Sequence, residues 1–117
     1  MNIVILGAGQ VGSELSAILA SDHDITLIDL NQEKLLKISD HHDLKTICGN
    51  ACYPKTLEQA EIENADLAIA MTQYDEVNMV ACQMIKHMSK KTKTMARIRA
   101  TQYLGGKGSE IFEAGDY

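Results

Sequence analysis

The sequence predicts a single α/β domain built on a doubly wound parallel sheet, and three observations lead to this prediction. Short apolar runs alternate with amphipathic stretches along the 117 residues, which is the pattern of strands joined by helical crossovers. A glycine-rich segment, GAGQVG at residues 7–12, separates the first apolar run from the first amphipathic stretch. An aspartate, Asp29, ends the second run. Together these features predict a first crossover that a ligand approaches closely.

The first half of the chain contains three predicted strands, which are short and mostly apolar. They are Asn2–Leu6, Asp24–Asp29 and Leu44–Cys48. After the glycines, helical spacing predicts a helix to about Ala20, with an apolar face made of Val11, Leu15, Ile18 and Leu19. Asn31 is expected to cap a second helix, whose apolar face carries Leu35, Leu36 and Ile38.

The second half repeats this alternation. Pro54 begins a short helix, because proline fits the first helical turn. The fourth and fifth predicted strands are Asp66–Ala70 and Thr94–Arg99. Between them, Thr72 and Asp75 have the spacing of a capping box, which predicts the start of a long helix. The apolar stripe of that helix consists of Val77, Val80, Ala81, Met84, Ile85 and Met88.

Composition narrows the class of protein. The net charge of −5 does not favour binding to nucleic acid or to an anionic membrane surface. Three cysteines are too few, and odd in number, for a disulfide scaffold, so a reducing compartment is expected. The sequence has no signal-peptide pattern and no apolar stretch near the ~20 residues of a membrane helix. We therefore expect a cytoplasmic chain.

The segment GAGQVG matches G-x-G-x-x-G between a predicted strand and a predicted helix, the context that gives this pattern its meaning. Gly7 permits the tight turn, Gly9 lets a pyrophosphate approach the backbone, and Gly12 lets helix and strand pack closely. The free N–H groups and the positive end of the helix dipole then bind the phosphates. A glycine turn without a ligand is the alternative, and the strand, the helix and Asp29 argue against it.

Asp29 lies 17 residues beyond Gly12 and is expected to accept hydrogen bonds from ribose hydroxyls. Its charge would repel a 2′-phosphate, and Lys34 is the only nearby cation in the sequence. The ligand predicted from these residues is NAD(H) rather than NADP(H). ATP or ADP would use the same phosphate and ribose contacts and remains an alternative.

Several segments together resemble one family along essentially the whole chain: VILGAGQVG, DITLID, GNA, TQYDEVNMVACQ, and ARIR followed by YL. This family is the KTN or RCK N-terminal (TrkA-N) domain of bacterial potassium-transport regulators. The T-x-x-D-E-x-N-M segment before ARIR is far more specific than the glycine motif. The resemblance implies a Rossmann-type sheet in the strand order 3-2-1-4-5-6, assembly as dimers or rings, and gating of a membrane potassium channel or transporter.

The resemblance also implies where a nucleotide binds. It assigns Gly7, Gly9, Gln10, Val11 and Gly12 to the pyrophosphate, Asp29 to the adenosine ribose, Asn50 and Ala51 to the adenine, and Thr72 to the second half of a dinucleotide. Arg97 is expected to meet the phosphates or a neighbouring subunit. The implied protein is a non-enzymatic, NAD(H)- or ATP/ADP-sensing regulatory subunit of a Trk-type potassium uptake system. It would form homo-oligomers and lie at the inner membrane through its transporter partner.

Other interpretations remain open. The chain could be the cofactor-binding domain of an NAD-dependent oxidoreductase whose catalytic part is absent. Tyr103 and Lys107 have the spacing of a short-chain dehydrogenase pair, but two glycines between them argue against a helical turn.

A zinc site would require four converging ligands, and the candidates His41, His42, Cys48 and Cys52 are not expected to converge. The glycine-rich end, with Ile111 and Phe112, predicts a fragment whose last strand is truncated.

Overall fold

The computed structural model describes residues 1–103, in which one parallel sheet lies between two layers of helices. The strands are β1 (Asn2–Leu6), β2 (Asp24–Asp29), β3 (Lys45–Cys48), β4 (Leu67–Ala70) and β5 (Lys93–Ala96). The helices are α1 (Gln10–Leu19), α2 (Gln32–Ser39), α3 (Pro54–Gln59) and α4 (Asp75–Met88), with 3₁₀ turns at Ile62–Asn64 and Thr101–Tyr103. The strand order β3-β2-β1-β4-β5, with every neighbouring pair parallel, confirms the predicted fold class.

The central strand β1 is buried on both faces. Val4 and Leu6 belong to a core cluster that includes Leu57 of α3 and Ile85 of α4. Ile3 lies on the other face of β1 and belongs to a second cluster, which α1 and α2 cover. Burying a side chain of this size stabilises a fold by about 1.5–3 kcal/mol. The end of β1 is therefore held from both sides, and the turn that follows it has a fixed position.

Most predicted element bounds agree with the structure, and the differences occur at strand ends. β1 and β2 have the predicted bounds, whereas β3 and β4 each begin one residue later. The prediction Thr94–Arg99 for β5 is wrong, since the strand is Lys93–Ala96. The N–H of Arg97 still donates to the Ala70 carbonyl oxygen, but the N–H groups of Arg99 and Ala100 donate to the Asp75 carboxylate instead of a strand.

The predicted capping box is also wrong. The N-cap position of α4 is Tyr74, and no side chain caps the helix there. The Thr72 hydroxyl lies two residues before the N-cap, where it accepts the Tyr74 N–H at 3.3 Å and donates to the Asn78 Oδ1 atom at 2.6 Å. By contrast, Asn31 caps α2 as predicted, because its side chain accepts the N–H of Lys34 at 3.1 Å.

The predicted apolar faces of the helices are broader than the buried ones. Helix α2 buries Leu35 and Ile38 but leaves Leu36, the third residue of its predicted apolar face, on the surface. The predicted core residues that are exposed by about half or more are Val11, Ile18, Leu36 and Val80. The sheet covers a narrower stripe of each helix than the sequence pattern indicates.

The predicted truncation of a last strand, with Ile111 and Phe112, lies outside the described residues. Within residues 1–103, no helix is both long and apolar enough to cross a bilayer.

Candidate nucleotide-binding site

The sheet brings the predicted site residues to one edge, where the carboxyl ends of its strands meet. The GAGQVG turn follows β1, Asp29 ends β2, Asn50 follows β3, Thr72 follows β4 and Arg97 follows β5. Strand order reverses beside β1, which creates the crevice where α/β proteins of this type bind ligands. Because neighbouring strands are about 4.8 Å apart, a ligand that contacts residues after several strands must be extended.

Two of the three glycines in the turn are required by the packing of the chain itself. Gly7 has a φ of 108°, and a Cβ atom there would lie 2.9 Å from the carbonyl carbon of Met71 and from the amide nitrogen of Thr72. A Cβ atom on Gly12 would overlap the carbonyl oxygen of Gly7. A Cβ atom on Gly9 would meet nothing within 4 Å. The absence of a side chain at Gly9 is therefore not explained by contacts among the described residues.

Helix α1 begins with backbone N–H groups that no side chain of residues 1–103 caps. Its N-cap is Gly9, which offers no side-chain oxygen, and its first turn contains no acidic residue. The N–H of Ser13 donates to the Gly9 carbonyl at 2.9 Å, so the N–H groups between these two residues precede the first helical hydrogen bond. The Ser13 hydroxyl donates to the Ala8 carbonyl at 2.9 Å and fixes the turn. The positive end of α1 is thus available to an anion.

Asp29 connects the glycine turn with the start of α2. Its Oδ1 atom accepts the N–H of Ala8, and its Oδ2 atom accepts the N–H of Asn31, both at 2.8 Å. A carboxylate has about four acceptor positions, so each oxygen keeps capacity for one further donor. The side chain is only partly buried. Asp29 therefore both orders the turn and can accept hydroxyl groups from a bound sugar.

Asn50 and Ala51 form the turn after β3. The Asn50 Oδ1 atom accepts the N–H of Cys52 at 2.8 Å, and the N–H of Gly49 donates to the Asp29 carbonyl at 3.0 Å. Ala51 is buried and belongs to the core cluster on the α3 and α4 side. This turn is consequently fixed beside the end of β2, with one half-buried amide side chain.

Arg97 lies across the end of β4. Its Nη2 atom donates to the carbonyl oxygens of Met71, at 3.0 Å, and of Thr72, at 2.9 Å. Its Nε atom is buried and has no acceptor among the described residues. None of the carboxylates in residues 1–103 forms an ion pair with this guanidinium. Its charge is therefore met by carbonyl dipoles at the crevice.

The sequence did not identify Asn78, which is fully buried in α4 and organises the turn after β4. Its Oδ1 atom accepts the N–H and the hydroxyl of Thr72, at 2.9 and 2.6 Å. Its Nδ2 atom donates to the carbonyl oxygens of Thr72 and Arg97, at 3.1 and 2.9 Å. The sequence did contain a signal for this role: an asparagine inside a predicted helix is unfavourable unless its side chain has hydrogen-bond partners.

Asp75 and Glu76, at the start of α4, also have partners beyond the helix dipole. The N–H groups of Arg99 and Ala100 hold the pKa of Asp75 below its ordinary value. The Tyr103 hydroxyl donates to Glu76 at 2.6 Å, and this hydrogen bond raises the pKa of Tyr103. Lys107, which has the spacing of a dehydrogenase pair with Tyr103, lies outside the described residues.

A groove of about 460 Å³ adjoins the glycine turn between α1 and α2. Its lining includes Gly9, Gln10 and Glu14 from the turn and α1, and Lys34, Lys37, His41 and His42 from α2 and the residues after it. A second cavity, of about 410 Å³, lies at the opposite edge of the sheet, and its charged lining residues are Asp24, Asp43, Lys45 and Glu61. The groove next to the turn is thus the more basic of the two.

The cysteines and histidines considered for zinc do not form a cluster in the described part of the chain, where no group of three or more metal-binding side chains occurs. The Cys48 thiol is exposed and lies 3.4 Å from the Leu30 carbonyl. Burial raises the pKa of Cys52, and it raises that of Cys82 to about 11.

The parallel sheet, its strand order, the glycine turn at the switch point and the carboxylate on the neighbouring strand define a Rossmann-type nucleotide-binding domain. The model of the TrkA-N domain family matches residues 3–113. The chain belongs to this family.

Curated relatives carry the name Trk system potassium uptake protein TrkA. The protein from Halomonas elongata is 44% identical over 115 residues, which are 97% of this chain and 25% of the relative. The protein from Haemophilus influenzae is 45% identical over 108 residues, or 92% and 24% of the two chains. The present chain thus spans about a quarter of the length of these relatives.

Solved structures share the fold at low sequence identity. The TrkA-N domain of inner membrane protein YbaL from Escherichia coli has a TM-score of 0.79 and 20% identity, covering 86% of this chain and 75% of that one. The AMP-bound Kef CTD of Shewanella denitrificans has a TM-score of 0.75 at 17% identity, covering 89% and 64%. The NAD-bound GsuK channel has a TM-score of 0.71 at 18% identity, covering 88% and 19%.

Proposed function

We propose that this chain is a nucleotide-sensing domain of the regulatory subunit of a Trk-type potassium uptake system, with NAD(H), or alternatively ATP or ADP, as its ligand. The observation that carries the proposal is Gly9, which lies at an uncapped helix start and has open space where a side chain would be. An approaching diphosphate accounts for both features. The names of the relatives support the potassium uptake system, and the NAD and AMP bound to similar folds support the ligand class.

In this proposal the ligand lies across the carboxyl edge of the sheet. The phosphates bind the backbone of the turn formed by Gly7, Gly9, Gln10, Val11 and Gly12. The adenosine ribose donates to the free acceptor positions of Asp29, and the adenine lies beside Asn50 and Ala51. The second half of a dinucleotide extends toward Thr72, where Arg97, which forms no ion pair within residues 1–103, supplies positive charge.

Sensing requires two arrangements of the assembled protein that bind the nucleotide with different affinity, since a ligand shifts an equilibrium only by its differential affinity. We propose that the arrangements are those of a homo-oligomer on the cytoplasmic side of the inner membrane, in contact with a membrane potassium transporter subunit. The alternative, the cofactor half of an NAD-dependent oxidoreductase, differs in the fate of bound NADH. A sensor changes its association state with ligand, and no added substrate oxidises the NADH.

The test is a calorimetric titration of the chain with NAD⁺, NADH, NADP⁺, ATP and ADP. Asp29→Ala is expected to weaken the binding of NAD(H) or ATP/ADP by about 1–3 kcal/mol, because a charged hydrogen-bond acceptor is lost. Asp66→Ala is the matched control. Asp66 also accepts a backbone N–H, from Asn2 at 2.9 Å, but at the amino edge of the sheet. Absence of binding by every nucleotide would overturn the proposal, and an equal loss in both variants would overturn the assignment of Asp29.

A further inference from the structure

The segment Thr72-x-x-Asp75-Glu76-x-Asn78, which is the most specific motif of the sequence, has a common target in the structure. Its members all form hydrogen bonds with residues 97–103, the stretch that leaves the sheet after β5. We call these four residues the clamp. Neither the binding of phosphate nor the binding of ribose requires such an arrangement.

The clamp holds residues 97–103 at three successive places. Asn78 donates to the Arg97 carbonyl at 2.9 Å. The Asp75 carboxylate accepts the N–H groups of Arg99 and Ala100, at 2.9 and 2.7 Å. Glu76 accepts the Tyr103 hydroxyl at 2.6 Å. The path of the chain beyond β5 is therefore set by side chains of α4 rather than by the sheet.

The same clamp touches the crevice through the peptide between Met71 and Thr72. This peptide packs against Gly7, where a Cβ atom would lie 2.9 Å from it. The Thr72 N–H of this peptide donates to Asn78, and its Met71 carbonyl accepts a hydrogen bond from Arg97. One peptide unit thus contacts the glycine turn, the clamp and the start of the outgoing stretch.

At this junction, Arg97 has one hydrogen-bond donor without a partner within residues 1–103. Its Nε atom is buried and has no acceptor among the described residues, although its Nη2 atom has two. A buried donor without a partner is unfavourable, so a small shift that gives it an acceptor lowers the free energy of the junction. The arrangement can therefore respond to a ligand at the crevice.

We propose that the clamp couples the crevice to residues 97–103: a nucleotide that orders the glycine turn also orders the Met71–Thr72 peptide and tightens the hold on the outgoing stretch. This inference rests on the proposed function, because it takes a nucleotide as the ligand of the crevice. Coupling is reciprocal in equilibrium binding. Loosening the clamp must therefore weaken nucleotide binding, even though Asp75 and Glu76 are not assigned to the ligand.

The first test is amide hydrogen exchange in the whole 117-residue chain, measured by NMR with and without NADH or ADP. Calorimetry on the same sample establishes that the ligand is bound. We expect the nucleotide to slow exchange at the amides of Arg99 and Ala100 by about threefold or more. The control amide is Lys93, which lies at the other end of β5, where it donates to the Asp66 carbonyl at 3.1 Å, and its exchange should not change.

The second test uses Asp75→Asn, with Asp66→Asn as the control at the opposite edge of the sheet. The first variant should speed exchange at Arg99 and Ala100 in the free chain and reduce nucleotide affinity by about threefold or more, and the control should do neither. If Asp75→Asn does not fold, Tyr103→Phe removes a single hydroxyl donor and should act in the same direction. Unchanged exchange at both amides in a sample with bound nucleotide would overturn the coupling and leave the proposed function intact. No binding at all would overturn both.

Discussion

The two turns on either side of the switch point solve the same structural problem in opposite ways. The β1–α1 turn and the β4–α4 turn each lead from a buried parallel strand into a helix at the carboxyl edge of the sheet. In the first, the N-cap is a glycine without a capping side chain, and the first turn of the helix has no acidic residue. In the second, Asn78 alone makes four hydrogen bonds, and two acids begin the helix.

This difference shows that the fold does not by itself decide which turn binds a ligand. Neighbouring parallel strands create equivalent turns, and side chains decide whether the polar groups of each turn are open or already used. The β1–α1 turn is sensitive to added atoms, because two of its glycines touch the backbone. The β4–α4 turn is sensitive to removed atoms, because its asparagine is a shared partner. Substitutions can test this contrast directly.

The largest effect is expected from Gly12→Ala. The new Cβ atom overlaps the Gly7 carbonyl oxygen, which is backbone and cannot move without displacing β1. Such overpacking of backbone against backbone should destabilise the chain by about 3 kcal/mol or more. Urea unfolding followed by circular dichroism measures this loss. A loss below about 1 kcal/mol would show that the turn is far more adaptable than its packing indicates.

The next largest effect is expected from Asn78→Ala, which removes the side chain that holds the β4–α4 turn together by hydrogen bonds. The N–H group of Thr72 and the carbonyl group of Arg97 lose their buried partner, whereas the Thr72 carbonyl keeps the Arg97 guanidinium as a donor. Unsatisfied buried groups should cost about 1–3 kcal/mol of the free energy of unfolding. Asn64→Ala, at an exposed asparagine, is the control and should change it by less than about 0.5 kcal/mol. Equal losses in the two variants would contradict a special role for Asn78.

The sequence predicted those parts of the fold that depend on neighbours along the chain. The bounds of β1 and β2 were correct because both strands are mostly apolar and buried. The end of β5 was wrong because the alternation in TMARIR continues locally, whereas Asp75, 24 residues before Arg99, draws the chain away from the sheet. No local pattern contains that contact.

The same distinction applies to the candidate site. The reasons for Gly7 and Gly12 could be predicted, since a tight turn and a close helix are properties of one βα unit. Asn78 was not identified, because its partner Arg97 is 19 residues away in the sequence, just beyond the end of β5. The roles of the remaining predicted residues in binding, including Gln10 and Asn50, stay predictions for titration to decide.

The smallest effect on stability, and the sharpest distinction between the turns, is expected from Gly9→Ala. A Cβ atom there meets nothing within 4 Å, so only the weaker preference of alanine for the N-cap position opposes the change. We expect a loss of less than about 1 kcal/mol in urea unfolding. Nucleotide affinity should nevertheless fall by about tenfold or more, equivalent to about 1.4 kcal/mol, because the methyl group fills the approach to the backbone. Gly12→Ala lies three residues away and should behave in the opposite sense, with the main loss in folding. If Gly9→Ala binds NADH or ADP as tightly as the unsubstituted chain, the open space at Gly9 is not where the phosphates approach.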